Sequence, residues 1–364
     1  MRWPGIAATT AAIALAASAP ASAQTPPEFY GVVPQGELTD KDIERMGAGR
    51  VGTARVTLPW SQIDPTALPR DYLWQDFDEI VAEAARQDVA ILPMAFSVPP
   101  WVSAMEGCRK PPGGPCEVRP PQTQAGLEAW RSFLAAAVDR YGPGGVFWTL
   151  NPTLPERPIR AWQIWNEQNS PGFYQPRPDV SDYAALLSAA SAGIRAEDPE
   201  AEVVLGGLYR FPLGGDGGGI RGTDFLERLY AQPGIEAAFD GVAVHPYSAR
   251  LVGMRSQVRR MASVVDAHGD GQEGIWITEV GWASGGGPHP LNRGPEGQAE
   301  RLRRAFAWFT ARRAALNIRL VAWYAWRDTK GDAVCDWCAN SGLLEFDSTP
   351  KPAWLEFLRF TGGR

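Results

Sequence analysis

Histidine is scarce in this chain of 364 residues, which contains only His245, His268 and His289. A metal-dependent hydrolase built on a barrel would need several His and Asp side chains at its strand ends to hold the ion. Only His245 lies at the end of a strand-like run, so we expect no bound metal. The sequence also lacks a phosphate-binding glycine-rich loop, a nucleophilic serine motif and a dinucleotide fingerprint, so we expect no cofactor.

An excess of positive charge is also missing. The sequence has 35 Lys and Arg residues against 41 Asp and Glu residues, which gives a formal net charge of −6. A mildly acidic surface argues against nucleic acid as a partner, because phosphate backbones are bound by basic surfaces. Beyond the N-terminal segment, no apolar run is long enough to span a bilayer.

The N-terminal segment has the pattern of a secretory signal peptide. Arg2 is the only charge in its first 23 residues, an Ala/Ile/Leu run follows, and Ala21-Ser22-Ala23 supplies small residues for cleavage. The apolar run is too short and too rich in alanine for a membrane anchor. We therefore expect removal of residues 1–23 before Gln24, a mature domain over residues 24–364, and a secreted or periplasmic location.

Cysteine occurs only four times, as Cys108, Cys116, Cys335 and Cys338. In an exported protein, two close pairs predict two disulfides, Cys108–Cys116 and Cys335–Cys338. The spacing of Cys335 and Cys338 would also suit a pair of zinc ligands. We favour the disulfides because export places the chain in an oxidising compartment.

Eight apolar, strand-like runs alternate with stretches of helical periodicity. Helical spacing is clear over residues 127–141 and again over residues 183–194, where Ser181 is the predicted N-cap. Eight strand–helix pairs in one chain predict a single-domain (β/α)8 TIM barrel, an α/β fold. The longest loops follow the third, fourth and eighth strands, and loops after strands build the active face of such a barrel. The strand-like runs cover residues 29–33, 51–58, 89–96, 159–165, 202–206, 239–244, 275–278 and 319–326.

Two glutamates follow apolar runs in the same way. Residues 162–169 read WQIWNEQN, and residues 275–282 read IWITEVGW. Glu167 would follow the fourth strand and Glu279 the seventh, so both would project from one rim toward a central pocket. Two carboxylates that face one pocket are the groups needed for glycosidic bond cleavage. Taken singly, either glutamate would more often be a rim residue paired with an arginine.

The residues at five strand ends resemble the signature of clan A glycoside hydrolases. Within the clan, the sequence resembles family 39-like enzymes, which include β-xylosidases, α-iduronidase and bacterial exopolysaccharide glycosidases. Gln168 stands where the clan often has proline, and the added β-sandwich domain of many family 39 xylosidases is not visible, which weakens any transfer of substrate. The positions that carry the resemblance are Arg55, Asn166-Glu167, His245 with Tyr247, Thr278-Glu279 and Trp326.

The resemblance implies a role for each residue. Glu167 would be the acid/base and Glu279 the nucleophile of a retaining mechanism, which needs carboxyl groups roughly 5–5.5 Å apart. Asn166 would bind the sugar 2-hydroxyl, and Tyr247 would hydrogen-bond Glu279. Arg55 would lower the pKa of Glu279 through its positive charge.

The supporting residues also have plainer explanations. His245, which the resemblance places at the substrate-binding rim, could be a satisfied core histidine. Trp326, which the resemblance makes the floor of the sugar site, could simply pack the barrel. Arg55 could be an ordinary ion-pair partner, and Asn166 could cap a turn.

Tryptophan is abundant, with 15 residues. Sugars pack their C–H faces on indole rings, so tryptophans at strand ends and in the following loops are predicted to line a glycan cleft. Several such platforms favour a polymeric substrate and endo action. An exo-acting β-xylosidase-like enzyme and a non-catalytic glycan-binding barrel are the alternatives, and the sequence does not indicate the oligomeric state. The predicted cleft residues are Trp60, Trp101, Trp165, Trp282, Trp326 and Trp337.

Overall fold

The computed structural model describes residues 1, 25–67, 71–108, 116–210, 218–330, 335 and 337–364. The predicted signal peptide and its cleavage site fall on residues 2–24, outside the described part. No helix within the described ranges is long and apolar enough to cross a bilayer.

Eight parallel strands close into a barrel. Around the barrel they follow the order β1-β2-β3-β4-β5-β7-β8-β9, and β9 pairs with β1 to complete the circle. The two-residue strand β6 pairs with β7 at the rim. The predicted (β/α)8 barrel is confirmed, and every predicted strand boundary lies within two residues of the observed one. The strands are β1 (Tyr30–Val33), β2 (Thr53–Pro59), β3 (Ala90–Phe96), β4 (Ala161–Ile164), β5 (Glu202–Leu205), β6 (Leu208–Tyr209), β7 (Gly241–His245), β8 (Gly274–Val280) and β9 (Ile318–Tyr324).

Helices occupy the connections between the strands and pack on the outer face of the barrel. The long helices α5 and α7 pack against each other, as do α10 and α11. The helices are α1 (Asp40–Ala48), α2 (Trp60–Ile63), α3 (Gln75–Arg86), α4 (Pro100–Met105), α5 (Gln124–Tyr141), α6 (Val146–Leu150), α7 (Val180–Glu197), α8 (Gly222–Tyr230), α9 (Leu251–Ala267), α10 (Gly294–Arg312) and α11 (Pro352–Thr361).

The start of α7 differs from the prediction. The N-cap is Asp179, whose carboxylate accepts hydrogen bonds from the backbone N–H groups of Ser181 and Asp182. Ser181 itself lies within the first turn and donates its hydroxyl to Asp179. The prediction of Ser181 as the cap was wrong because a carboxylate two residues upstream satisfies two of the free N–H groups at once.

The barrel interior holds its own small apolar cluster, separate from the larger core between strands and helices. Side chains alternate along a strand, so every second residue points inward. Polar residues on the same strands, among them Arg55, Gln163 and Thr278, are also buried. The barrel interior therefore contains an apolar cluster and, toward the active face, a set of buried polar side chains. The apolar cluster contains Val33, Leu92, Val204, Ala243, Trp276, Leu320 and Ala322.

Both predicted disulfides are present. Cys108 bonds Cys116 in the loops after β3, and Cys335 bonds Cys338 in the connection after β9. Because Cys335 and Cys338 are bonded to each other, their sulfurs are not free thiolates for zinc. The zinc alternative for this pair is therefore wrong.

Candidate active site

The two glutamates lie on different elements that the barrel brings together. Glu279 is the second-last residue of β8, and Glu167 lies three residues beyond the end of β4. The backbone around Glu167 is strained, since Trp165 and Glu167 have φ angles of 73° and 41° in the left-handed region that non-glycine residues rarely adopt. Such strain is typical of functional sites, where the surrounding structure holds the side chain in place.

Glu279 is held by two strong partners. Arg55 on β2 donates from Nη1 to Glu279 Oε1 at 2.7 Å, and the Tyr247 hydroxyl donates to Oε2 at 2.7 Å. Arg55 is 3% exposed and also donates to Asn166 Oδ1 at 2.7 Å. The predicted contacts of Arg55 and Tyr247 with Glu279 are therefore observed. Since Arg55 occupies the carbonyl oxygen of Asn166, the amide nitrogen of Asn166 is the end left to donate to a ligand.

Glu167 pairs with a histidine. His245 Nδ1 lies 2.8 Å from Glu167 Oε1 and 3.5 Å from Glu279 Oε2, and the imidazole is fully buried. His245 is therefore neither exposed nor an isolated core residue, since it stands between the two carboxylates. One ligand atom from each of the three side chains lies within 4.8 Å of the other two.

This group of three could also hold a metal ion by its geometry. Among the described residues, Glu167, His245 and Glu279 have His and carboxylate ligand atoms that converge closely enough. The Arg55 guanidinium already occupies Glu279 Oε1 at 2.7 Å. A fixed positive charge at that distance disfavours a cation beside it, so hydrogen bonding explains the cluster better than metal coordination.

The two carboxyl groups have pKa values shifted in opposite directions. Burial raises the pKa of Glu167 above its usual range, and the charge of Glu279 adds to the rise, against the opposing effects of His245 and Arg55. Burial also acts to raise the pKa of Glu279, but His245, Arg55 and the Tyr247 hydroxyl outweigh it and hold this pKa below its usual range. The pair is therefore suited to one protonated and one ionised carboxyl group at the same pH.

Two polar strand residues complete the buried network. Gln163 was not predicted, and Thr278 was named in the sequence signature but was given no role. Gln163 on β4 accepts from Arg55 Nε at 2.6 Å, and Thr278 on β8 contacts His245 Nε2 at 3.0 Å. Gln163 also donates to Thr278 Oγ1 at 3.3 Å. The available signal was a polar residue within an apolar run, Gln163 in AWQIW and Thr278 directly before Glu279 in IWITEV.

The aromatic rings near the glutamates are mainly tyrosines, and Trp337 is the one predicted tryptophan packed among them. Tyr324 at the end of β9 is partly exposed, and the charges of Glu279 and Glu167 add to the rise that burial causes in its pKa. Tyr247 lies edge-on to Trp337 with ring centroids 4.9 Å apart, and Tyr324 and Tyr209 each lie 6.0–6.1 Å from a ring of this group. Trp337 is thus in the predicted region of the site.

Trp326 does not floor the site, and this prediction was wrong. Its indole is 2% exposed, donates to Asp42 Oδ1 at 2.9 Å and packs edge-on against Trp354 of α11. Tyr324, the last residue of β9, takes the place beside the glutamates. Trp326 lies two residues beyond the strand end, where the chain has already turned toward the surrounding helices.

Trp282 is likewise buried rather than substrate-facing. It is 0% exposed, and its indole donates to the Ser248 carbonyl at 2.9 Å. Trp60 and Trp165 are also fully buried, so these three cannot form subsite walls as predicted. Trp101 on α4 is partly exposed and donates to the Asp64 carbonyl, and its role as a substrate contact stays a prediction.

Sequence comparisons find no relative. No family model matches the chain, and no curated protein sequence matches it.

Solved structures do match in fold. A family 39 glycoside hydrolase from Bacteroides cellulosilyticus is 19% identical at a TM-score of 0.63, over 94% of this chain and 64% of that one. A monomeric β-xylosidase from Caulobacter crescentus is 14% identical at a TM-score of 0.64, over 92% and 68%. A family 5, subfamily 18 protein from Bifidobacterium longum, solved with Manβ1-4GlcNAc, is 14% identical at a TM-score of 0.62, over 92% and 78%. The chain thus spans less than two thirds of the Bacteroides enzyme, and the similarity confirms the predicted resemblance in fold.

Proposed function

We propose that the protein is a retaining glycoside hydrolase, with Glu167 as acid/base and Glu279 as nucleophile. The observation that carries this proposal is the carboxyl pair, whose ligand oxygens lie within 4.8 Å of each other. Retaining enzymes have carboxyl groups about 5–5.5 Å apart, whereas inverting enzymes need about 6.5–9.5 Å to admit a water molecule. The opposite pKa shifts of the two residues agree with the assigned roles.

The reaction has two steps. The ionised Glu279 carboxylate attacks the anomeric carbon while the Glu167 carboxylic acid donates its proton to the departing glycosidic oxygen, which breaks the C–O bond. Glu167, now a carboxylate, takes a proton from water as the water oxygen attacks the anomeric carbon of the glycosyl-enzyme. The bond to Glu279 breaks, and both residues return to their starting protonation states.

The supporting residues have consistent parts in this scheme. Arg55 keeps Glu279 ionised, and the Tyr247 hydroxyl adds a second hydrogen bond to the same carboxylate. The amide nitrogen of Asn166, which has no hydrogen-bond partner within the described part of the chain, can donate to the sugar 2-hydroxyl, a contact that strengthens in the transition state. Tyr324 and Trp337 offer ring faces and edges for the sugar.

The substrate is proposed to be a poly- or oligosaccharide, cleaved in an endo fashion. The support for endo action now rests on Trp101 alone, because the other five of the six predicted platforms, Trp337 among them, are buried. That same burial favours a second candidate, an exo-acting β-xylosidase-like enzyme with a small site. A β-xylosidase is among the proteins of similar fold.

We also propose that the protein is exported, to the cell exterior or the periplasm. The support is the signal-like N-terminal sequence together with two disulfides, which persist in oxidising compartments. The intact mass of the exported protein tests this proposal. A mature chain that starts at Gln24 is expected, and retention of residues 1–23 would contradict it.

The test of catalysis compares Glu279→Gln and Glu167→Gln on a panel of glycans and of aryl glycosides with good leaving groups. Wild type is expected to cleave at least one glycan. Glu279→Gln should lose cleavage of every substrate, because the nucleophile is gone. Glu167→Gln should lose glycan cleavage but keep the first step on aryl glycosides, because a good leaving group needs no proton.

The control is Glu202→Gln, which removes a carboxylate at the start of β5, the opposite end of the barrel, and should leave activity unchanged. Oligosaccharide products would establish endo action, and monosaccharide products would establish exo action. No cleavage of any glycan, with equal glycan binding by wild type and Glu279→Gln, would refute the enzyme and favour the non-catalytic binding barrel.

A further inference from the structure

We propose that Gln163 and Thr278 are positioning residues that hold His245 with its ring proton on Nδ1, which directs the acid proton of Glu167 to Oε2. This inference rests on the proposed function and adds to it a device that presents the proton to the substrate. Four consecutive buried hydrogen bonds connect Arg55 to Glu167 through Gln163, Thr278 and His245.

In a first step, Arg55 determines the orientation of the Gln163 side-chain amide. Arg55 Nε is only a donor, and it lies 2.6 Å from Gln163 Oε1. The oxygen end of the amide therefore faces Arg55, and the Nε2 end donates to the Leu205 carbonyl at 3.0 Å and to Thr278 Oγ1 at 3.3 Å. Gln163 is fully buried, so bulk solvent does not reach these contacts.

The second step fixes the Thr278 hydroxyl. Its oxygen accepts from Gln163, so its single proton must find a different acceptor. Among the described residues, the neighbour that can accept this proton is His245 Nε2, at 3.0 Å. If Nε2 instead carried a proton, the Thr278 hydroxyl would face two donors and its own proton would be left without an acceptor. An unsatisfied donor at a buried site such as Thr278 is costly.

The third step follows for neutral imidazole, which has one N–H and one bare nitrogen. With Nε2 as the acceptor, Nδ1 carries the proton and donates to Glu167 Oε1 at 2.8 Å. That oxygen is occupied by an N–H, so the carboxylic proton of Glu167 belongs on Oε2. The opposite tautomer would draw the acid proton toward His245 Nδ1 and away from the glycosidic oxygen.

Gly207 packs closely against the His245 imidazole and leaves no room for a side chain. A Cβ added at Gly207 would lie 1.9 Å from His245 Nε2, which is far inside contact distance. Any side chain at residue 207 would therefore displace the imidazole from Thr278, from Glu167 or from both. Gly207 belongs to the same positioning set, and Gly207→Ala is expected to reproduce the effect of losing the Thr278 hydroxyl.

The first experiment reads the tautomer without turnover. The chain has only three histidines, so selective ¹⁵N-histidine labelling gives three imidazoles, and His245→Phe assigns the one of interest. Wild type should show a pyrrole-like Nδ1 and a pyridine-like Nε2 at His245 near neutral pH. A pyridine-like Nδ1, or two protonated nitrogens, would overturn the proposal.

The second experiment follows the pH profile of kcat/KM in Thr278→Val, Thr278→Ser and the control Thr53→Val. Thr53 is a buried β2 threonine whose hydroxyl donates to the Glu28 carbonyl far from the site. In Thr278→Val, kcat is expected to fall about 10-fold, a fraction of the about 10²–10⁴-fold contributed by general acid catalysis. KM should change less than about twofold, and Thr278→Ser should restore kcat.

The pH profile separates positioning from loss of fold. The His245 hydrogen bond lowers the Glu167 pKa, so its weakening in Thr278→Val should move the alkaline limb to higher pH. A fall in kcat with an unmoved limb would overturn the proposal. If wild type cleaves no glycan, the proposed function fails while the tautomer measurement still stands. The other titratable or charged groups that act on Glu167 or respond to its charge are Glu279, Arg55, Tyr209, Tyr247 and Tyr324.

Discussion

Replacement of Arg55 by methionine tests the buried charge network most severely. Methionine keeps much of the arginine stem, so the main loss is the guanidinium group. The change leaves Glu279 without its cation and leaves Gln163 Oε1 and Asn166 Oδ1 without donors at 2.6 and 2.7 Å. The pair is well shielded, with side-chain exposures of 3% for Arg55 and 11% for Glu279.

The expected cost is large because one charge would remain buried and unpaired. Removal of one partner of a buried ion pair costs about 3–5 kcal/mol. The free energy of unfolding of Arg55→Met, measured by urea titration, should fall by this amount at pH 7. The control Arg304→Met breaks a solvent-exposed pair with Glu300 and should leave the free energy of unfolding almost unchanged.

The free energy of unfolding should depend on pH differently in wild type and in Arg55→Met. In wild type the Glu279 pKa is lowered, so the ionised carboxylate stabilises the fold above the unfolded pKa of about 4.3, and this stability is lost as the pH falls through the lower folded pKa. In Arg55→Met, burial should dominate and raise the Glu279 pKa. The difference between variant and wild type should therefore be largest near pH 7 and shrink below about pH 4.

A double-mutant cycle with Glu279→Gln measures the interaction free energy between Arg55 and Glu279. The double variant should be less destabilised than the sum of the single variants by about 1–3 kcal/mol, because the unpaired charge is gone. Additive losses, or a loss in Arg55→Met no larger than in Arg304→Met, would refute the buried-pair account.

Two further predictions concern other parts of the fold. Burial, with the charges of Asp240 and Asp270, raises the pKa of Glu273 to about 7, so wild type should lose stability as the pH rises from about 4.3 to about 7. Thermal melts of Glu273→Gln should match wild type near pH 4 and exceed it above pH 7, and equal melting temperatures at both pH values would contradict this. Asp179→Ala should cost about 1 kcal/mol by urea unfolding because the α7 cap is lost. Ser181→Ala should cost less, and the reverse order would contradict the assignment of the cap.

The barrel was predictable from sequence because the inward-facing and the outward-facing side chains of each strand are both mostly apolar. Each barrel strand is covered on both sides, so it reads as a continuous apolar run, and eight such runs at regular spacing leave few other folds. The two glutamates were predictable for the same reason, since a carboxylate at the end of a buried apolar run, as at Glu167 and Glu279, is conspicuous.

The orientation of the tryptophan side chains could not be predicted from the sequence. An indole at a strand end can turn into the pocket or toward the helices, and local sequence does not distinguish the two. Trp326 and Trp282 turned outward, where Asp42 and the Ser248 carbonyl accept from their indoles. Neither partner is close in the sequence, so the preference arises only when the chain is folded.

The network of Gln163 and Thr278 was hidden for a similar reason. A lone polar residue in an apolar run indicates a buried hydrogen bond, but the partner lies on another strand. Gln163 is hydrogen-bonded to Arg55, 108 residues away in the sequence, and Thr278 to His245, 33 residues away. Closure of the barrel decides these pairs, so sequence spacing alone could not supply them.

The stereochemistry of the first product tests the central claim most directly. Once the panel has identified a cleaved glycan, ¹H NMR in the first minutes of hydrolysis reads the anomeric configuration before the sugar equilibrates. The proximity of the Glu167 and Glu279 oxygens, within 4.8 Å, predicts that the first product retains the configuration of the substrate. A first product of inverted configuration would contradict Glu279 as the nucleophile and the double-displacement mechanism.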